Sequence, residues 1–216
     1  MNRPELERVW QAAAGAIPGV VIGVTDATGT IELEAFGCAD SRRNLPLRTD
    51  AVFRIASMTK LITSIAVLQL EEQGLLHLDD PFRRHVPEFR QPPVLRAFDS
   101  ATGAYETTPA DREITVRQLL THTAGYGTWF LNPELRAVLG STPEYYNPPF
   151  LVHAPGTRFQ YGICSDVVGR IIAPLSGLSL ADYFEQRVLG PLGMRDTAYR
   201  LPADAARLVP VHAPGG

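Results

Sequence analysis

Ser57-Met58-Thr59-Lys60 sets a hydroxyl and an amine three residues apart. On a helix, positions i and i+3 share a face, so the two groups can meet. The chemistry they could do is nucleophilic: a neutral amine takes the serine proton, and the oxygen attacks a carbonyl. A helix start favours this. Its positive end disfavours a protonated lysine, and its free N–H groups can hold an oxyanion that develops on the substrate. The spacing alone is a weak signal, because a capping serine followed by a snorkelling surface lysine shows the same pattern. Two features favour the chemical reading. Of the 20 basic residues, Lys60 is the only lysine, and lysine, unlike arginine, can lose its proton when buried. It also stands in the first turn, where a cation is unfavourable, ahead of a strongly apolar stretch.

Other residue types with chemical reach are scattered further along. Tyr161 precedes Gly162 and an apolar segment. On its own residues it reads first as packing, with its hydroxyl at the surface. Tyr126, Trp129 and Phe130 fall in an aromatic stretch after His122. For these three, lining an acyl pocket and packing in a core or lid are both open. Cys38 and Cys164 form no CxxC pair and no Cys/His cluster with zinc spacing, so two free thiols and no metal site are expected.

The elements that must position these groups follow from the pattern. Val20–Thr25 and Thr30–Phe36 are β-branched runs around Asp26-Ala27-Thr28-Gly29, which predicts a β-hairpin. Met58–Gln73 has helical periodicity, is apolar around most of its girdle, and so belongs in a core, with Gly74 as its stop. Gln91–Arg112 reads as a loop or insertion. Thr115–His122 reads as a helix capped by Thr115. Ala124–Pro155 is rich in aromatics, prolines and glycines and reads as long loops. Val167–Leu175 is predicted helical but ended early by Pro174. Leu180–Leu189 is a second amphipathic helix before Gly190-Pro191, and the tail from Pro202 is irregular. Met1–Gln11 is a short amphipathic helix with no apolar run of a signal peptide.

The whole chain has 216 residues, 45% hydrophobic and 20% charged, with a net charge of −3. That is enough for a sizeable core in one large or two small domains. The charge balance gives no reason to expect nucleic acid or an anionic membrane as partner. No apolar run reaches the length of a transmembrane helix, and a cytoplasmic location is the default expectation.

Read together, the motifs resemble the serine β-lactamase and penicillin-recognising superfamily, and most of all the class C β-lactamase-related carboxylesterases. The nucleophile segment is Phe53-Arg54-Ile55-Ala56-Ser57-Met58-Thr59-Lys60. Leu78-Asp79-Asp80-Pro81 followed by Val86-Pro87-Glu88-Phe89 is similar to the stretch after the core helix. Ile114-Thr115-Val116-Arg117-Gln118-Leu119-Leu120-Thr121-His122-Thr123-Ala124-Gly125, Pro155-Gly156-Thr157-Arg158-Phe159 and Leu189-Gly190-Pro191-Leu192-Gly193-Met194-Arg195-Asp196-Thr197 are similar to three further family segments. The resemblance implies an α/β (α+β) β-lactamase-like fold, an antiparallel sheet flanked by helices with an inserted helical region. By that reading residues 1–60 begin the α/β domain, 61–165 form the helical and loop-rich region, and 166–216 return to the α/β domain.

The resemblance also implies that Tyr161 is a second base beside Ser57 and Lys60. A phenol must be depressed from about 10 to serve near neutrality, which an adjacent ammonium does, so lysine and tyrosine would titrate as a pair. Within the family motif His122 reads as structural, not as a base. Where β-lactamases of this type carry Tyr-x-Asn, this chain has Ile163, and Asp166 follows as in esterase relatives. That tilts the expected activity from lactam to ester: a carboxylesterase acting on a small-molecule or short-chain ester through an acyl-enzyme, with no cofactor. Ile163 joins Tyr126, Trp129 and Phe130 as a candidate substrate-binding position. A β-lactamase or D-amino-acid peptidase, an acyltransferase and a non-catalytic scaffold stay open. The late Lys-Thr-Gly or Trp-Gly-Gly strand of the family does not occur before Gly216. The sheet is therefore expected to be completed by a C-terminal remainder of the same protein. Without that strand's oxyanion donor the rate is expected to fall roughly 10²–10³-fold.

Overall fold

The computed structural model describes residues 3–13, 16–40, 43–139, 147–200 and 206–211. The irregular tail expected from Pro202 and part of the 124–155 loop region fall largely outside these residues. The chain forms two compact units, residues 1–56 with 201–216 and residues 57–200.

The first unit is built on the expected hairpin. Strands β1 (Gly19–Asp26) and β2 (Gly29–Asp40) pair antiparallel from Gly19↔Gly37 to Asp26↔Gly29, and the two-residue strand β3 (Leu45–Pro46) extends the sheet beside β2. The Asp26 carboxylate accepts from the Thr28 N–H at 2.7 Å and from the Thr28 hydroxyl at 2.6 Å, which closes the turn. Helix α1 (Arg3–Ala13) lies against this hairpin. Leu6 is fully buried and Trp10 stacks on Phe36 with ring centroids 6.2 Å apart. Gly37 has φ 78°, and a Cβ there would collide with the Pro18 carbonyl oxygen, so only glycine fits this approach.

The second unit is organised around helix α2 (Thr59–Glu72), entered through a short 3₁₀ turn, Ala56–Met58, and ended by Gly74 at φ 70°. Its Thr63, Ala66, Val67 and Leu70 are buried. The last three belong to a core shared with Phe82, Val116, Leu119, Val168, Ile172, Phe184 and Leu189. The expectation that this helix is apolar and enclosed around most of its girdle is corrected: Leu61 and Leu68 are 68% and 41% exposed, and Met58 just before it is 66% exposed. The order continues with a 3₁₀ turn at Phe82–Arg84, β4 (Val94–Phe98), β5 (Tyr105–Thr108), α3 (Val116–Leu120) and α4 (Pro133–Leu139). Then come α5 (Cys164–Val168), α6 (Ile172–Ser176) and α7 (Leu180–Tyr183), which runs into a π-helical stretch, Phe184–Leu189.

Two local expectations are overturned. The segment 91–112 contains the antiparallel hairpin β4–β5, not a plain loop. The turn is legible afterwards: the Asp99 carboxylate accepts from the Ala101 N–H and the Thr102 hydroxyl, and Gly103 has φ 74°. What hid it is that all four β5 residues are exposed, so no apolar alternation marks the strand. Pro174 does not end its helix early either, because α6 runs through it to Ser176. A 3₁₀ turn at Gly169–Ile171 interrupts the helix just before, so Pro174 falls in a first turn, where its missing N–H costs nothing.

Candidate active site

Ser57 lies in the 3₁₀ turn that feeds α2, directly after Ala56, whose φ of 43° is unusual for a residue with a side chain. The serine is exposed. One turn later, in the first turn of α2, the Lys60 Nζ donates to Ser57 Oγ at 3.1 Å. The i, i+3 geometry read from the sequence is therefore realised.

Tyr161 reaches the same oxygen from far along the chain. Its phenol donates to Ser57 Oγ at 2.8 Å. The Lys60 Nζ stands 5.1 Å from the centre of the Tyr161 ring. Hydrogen bonding to Ser57, then to Lys60, lowers the phenol below the ordinary tyrosine value, against the opposing effect of burial. Two backbone features fix where this ring starts from. The Gln160 N–H donates to the His122 carbonyl at 2.8 Å. A Cβ on Gly162 would collide with the carbonyl oxygens of Tyr126 and Gly127, so the Tyr161-Gly162 backbone can lie flat against residues 126–127 only because position 162 is glycine.

The segment on the other side of that contact is shaped by α3. Thr115 and Gln118 form a reciprocal capping box at its start. At its end Thr123 N–H donates to the Gln118 carbonyl at 2.8 Å and His122 N–H to the Leu119 carbonyl at 3.3 Å. His122 itself has φ 55°. Its ring stacks on Tyr161, centroids 5.0 Å apart and planes 27° off parallel, and meets the exposed Phe159 edge-on at 6.0 Å. Burial, then the charge on Lys60, holds the imidazole below its usual pKa, which favours the neutral ring.

The remaining candidates are placed differently. Tyr126 and Ile163 are both 3% exposed members of the core of the second unit. Burial pushes the Tyr126 phenol far up, so it stays protonated. Trp129 and Phe130 pack edge-on against each other at 5.8 Å, with Phe130 half exposed. Among the described residues no hydrogen bond or ring contact joins any of these four to Ser57, Lys60 or Tyr161. Asp166, two residues into α5, is exposed, and partial desolvation raises its carboxyl while Lys60 and Arg170 pull it down. Cys164 is a buried free thiol pushed up to about 12 by burial, which makes it a poor nucleophile. The residues that sequence reasoning undervalued are His122 and Phe159. The signal for His122 was a histidine where a helix usually ends on glycine.

Ser57, Lys60 and Tyr161 thus form a hydroxyl with two proton-handling neighbours, the arrangement of an acylating serine. A model of the family described as Beta-lactamase matches residues 6–213. The chain is 35% identical over 200 residues to monacolin J acid methylbutanoyltransferase of Aspergillus terreus, covering 86% of this chain and 48% of that protein. It is 34% identical over 215 residues to lovastatin esterase of Penicillium rubens, covering 90% of this chain and 52% of that protein. Among solved structures it is similar to EstCE1, a hydrolase with promiscuous acyltransferase activity. There the TM-score is 0.79 at 27% identity, covering 95% of this chain and 55% of that one. The chain spans about half the length of the curated relatives it matches.

Proposed function

The chain belongs to the Beta-lactamase family, the β-lactamase-fold serine hydrolases and acyltransferases, and from that premise we propose that it carries the acylating centre of an ester-cleaving enzyme, most simply a carboxylesterase. One observation carries this reading: Ser57 Oγ is within hydrogen-bond reach of both Lys60 Nζ, at 3.1 Å, and the Tyr161 phenol, at 2.8 Å. In the proposed reaction Ser57 Oγ attacks the ester carbonyl and its proton passes to the Lys60–Tyr161 pair. The carbon–oxygen bond to the alcohol then breaks, and the pair returns the proton to the departing oxygen. This leaves an acyl group on Ser57. Water, or an alcohol in the transfer reading, then attacks the acyl carbonyl and gives its proton to the same pair, the bond from the acyl carbon to Ser57 Oγ breaks, and the pair returns the proton to Ser57 Oγ.

Ester over lactam is favoured by position 163. Ile163 is buried and has no amide to offer a lactam side chain. Transfer to an alcohol in place of water is a second reading, favoured by the similarity to a methylbutanoyltransferase and to a hydrolase with promiscuous acyltransferase activity. Both readings share every step up to the acyl-enzyme and differ only in the acceptor. The activity is proposed for the polypeptide in which these residues sit, with the C-terminal remainder as the expected partner of this portion and a cytoplasmic site of action.

The test is turnover of a short-chain p-nitrophenyl ester by that polypeptide, with and without an added alcohol, and of nitrocefin in parallel. Ester turnover well above nitrocefin turnover is expected. Diversion of the acyl group to the alcohol would select transfer, and nitrocefin turnover that matches ester turnover would overturn the ester reading.

A further inference from the structure

His122 stands where a helix ordinarily ends on glycine. The two hydrogen bonds at the end of α3, Thr123 N–H to Gln118 and His122 N–H to Leu119, are those of a helix terminus whose next residue is left-handed. That residue is His122, at φ 55°. Glycine would adopt this backbone freely, whereas a side chain there is strained. The ring gained for that strain stacks on Tyr161, and the His122 carbonyl simultaneously accepts from Gln160, the residue next to Tyr161. Nδ1 of the ring is buried and has no hydrogen-bond partner among the described residues. The imidazole is thus held as a flat face more than as a hydrogen-bonding group.

We propose that His122 is a positioning residue for Tyr161: its imidazole is the surface that keeps the phenol ring within reach of Ser57 Oγ. The phenol is held at its tip by the hydrogen bond to that oxygen, and Gly162 beside it in the chain supplies no side chain to lean on. Without the stacked ring, Tyr161 can swing away from the serine while the backbone stays in place. The inference rests on the reading of Ser57, Lys60 and Tyr161 as the acylating centre.

Two substitutions separate the ring from the backbone. Asparagine tolerates the left-handed conformation but has no ring, so His122→Asn tests the face alone. Phenylalanine keeps the ring at a backbone cost, so His122→Phe restores the face. The readout is the rate at which a fluorophosphonate labels Ser57 in the full polypeptide, together with thermal unfolding of each variant. The expected result is a roughly 10-fold to 100-fold slower labelling of His122→Asn, with its melting temperature maintained. His122→Phe is expected to keep most of the parent's labelling rate while melting lower. Labelling of His122→Asn at the parent's rate overturns the inference, as does a folded His122→Phe that labels as slowly as His122→Asn. Should His122→Phe fail to fold, His122→Asn decides alone. A parent that does not label at Ser57 at all overturns the underlying assignment of the nucleophile, and this inference with it.

Discussion

The Lys60 Nζ lies 5.1 Å from the centre of the Tyr161 ring, and both side chains converge on the same oxygen, Ser57 Oγ. Hydrogen bonding to Ser57, then to Lys60, lowers the Tyr161 phenol below the ordinary tyrosine value. These are the two groups proposed to take the serine proton and return it to a leaving group.

Removing either partner should cost rate without abolishing binding. Tyr161→Phe keeps the ring and its stacking but deletes the hydroxyl, and a fall in kcat of roughly 10²–10⁴ with little change in KM is expected. Lys60→Arg should be as damaging as Lys60→Ala, because a guanidinium cannot be deprotonated to act as base. Steady-state kinetics on a p-nitrophenyl ester check both.

The pH dependence has a defined sign. Tyr161 accepts a proton only as phenolate, and its pKa is lowered by Ser57 and Lys60. The acylation rate should rise with pH through that lowered value, below the ordinary tyrosine value of about 10. A pH–rate profile of Ser57 acylation should show this limb in the parent. Persistence of the same limb in Tyr161→Phe would assign it to another group.

Gly162→Ala should couple stability to catalysis. The added Cβ meets the backbone oxygens of Tyr126 and Gly127, which cannot move aside as a flexible side chain could. A destabilisation of about 1–3 kcal/mol is expected, with a fall in kcat measured where the variant is still fully folded, because Tyr161 is displaced with its neighbour. Denaturant unfolding and ester turnover report the two effects separately.

Asp80 anchors the turn after α2. Its carboxylate accepts from the His77 N–H at 2.9 Å, from the His85 ring at 2.8 Å and from Arg84 at 2.9 Å, and its pKa is lowered, chiefly by the His77 N–H. A depressed carboxyl stabilises the fold above its unfolded pKa and loses that contribution as pH falls through the folded value. Asp80→Ala should cost about 1–3 kcal/mol at neutral pH, a difference that shrinks in acid. The neighbouring Asp79, paired with Arg117 on the surface, should matter much less. Unfolding curves at neutral and acidic pH check both statements.

Local patterns carried most of what was legible in the sequence. Asp26-Ala27-Thr28-Gly29 marked the first hairpin because its turn is closed by the aspartate's own neighbours. The Ser57–Lys60 contact followed from helical spacing. Thr115 announced the start of α3. Tyr161 was not legible in this way. The sequence separation of 104 from Ser57 is closed by backbone contacts of Gln160 and Gly162, which no periodicity reveals, and only the resemblance of whole motifs pointed to it. The β4–β5 hairpin was missed because its second strand buries nothing. Leu61 shows the converse, an apolar residue of a core helix on its exposed side.

The most direct measurement is the mass of the acyl-enzyme. A slowly hydrolysed ester should be mixed with the polypeptide, quenched in acid and digested, and the modified peptide sequenced by mass spectrometry. The account predicts one acyl group, on Ser57, absent from Ser57→Ala and formed more slowly in Tyr161→Phe and Lys60→Ala. An acyl group on any other residue, or ester turnover that survives in Ser57→Ala, would contradict it.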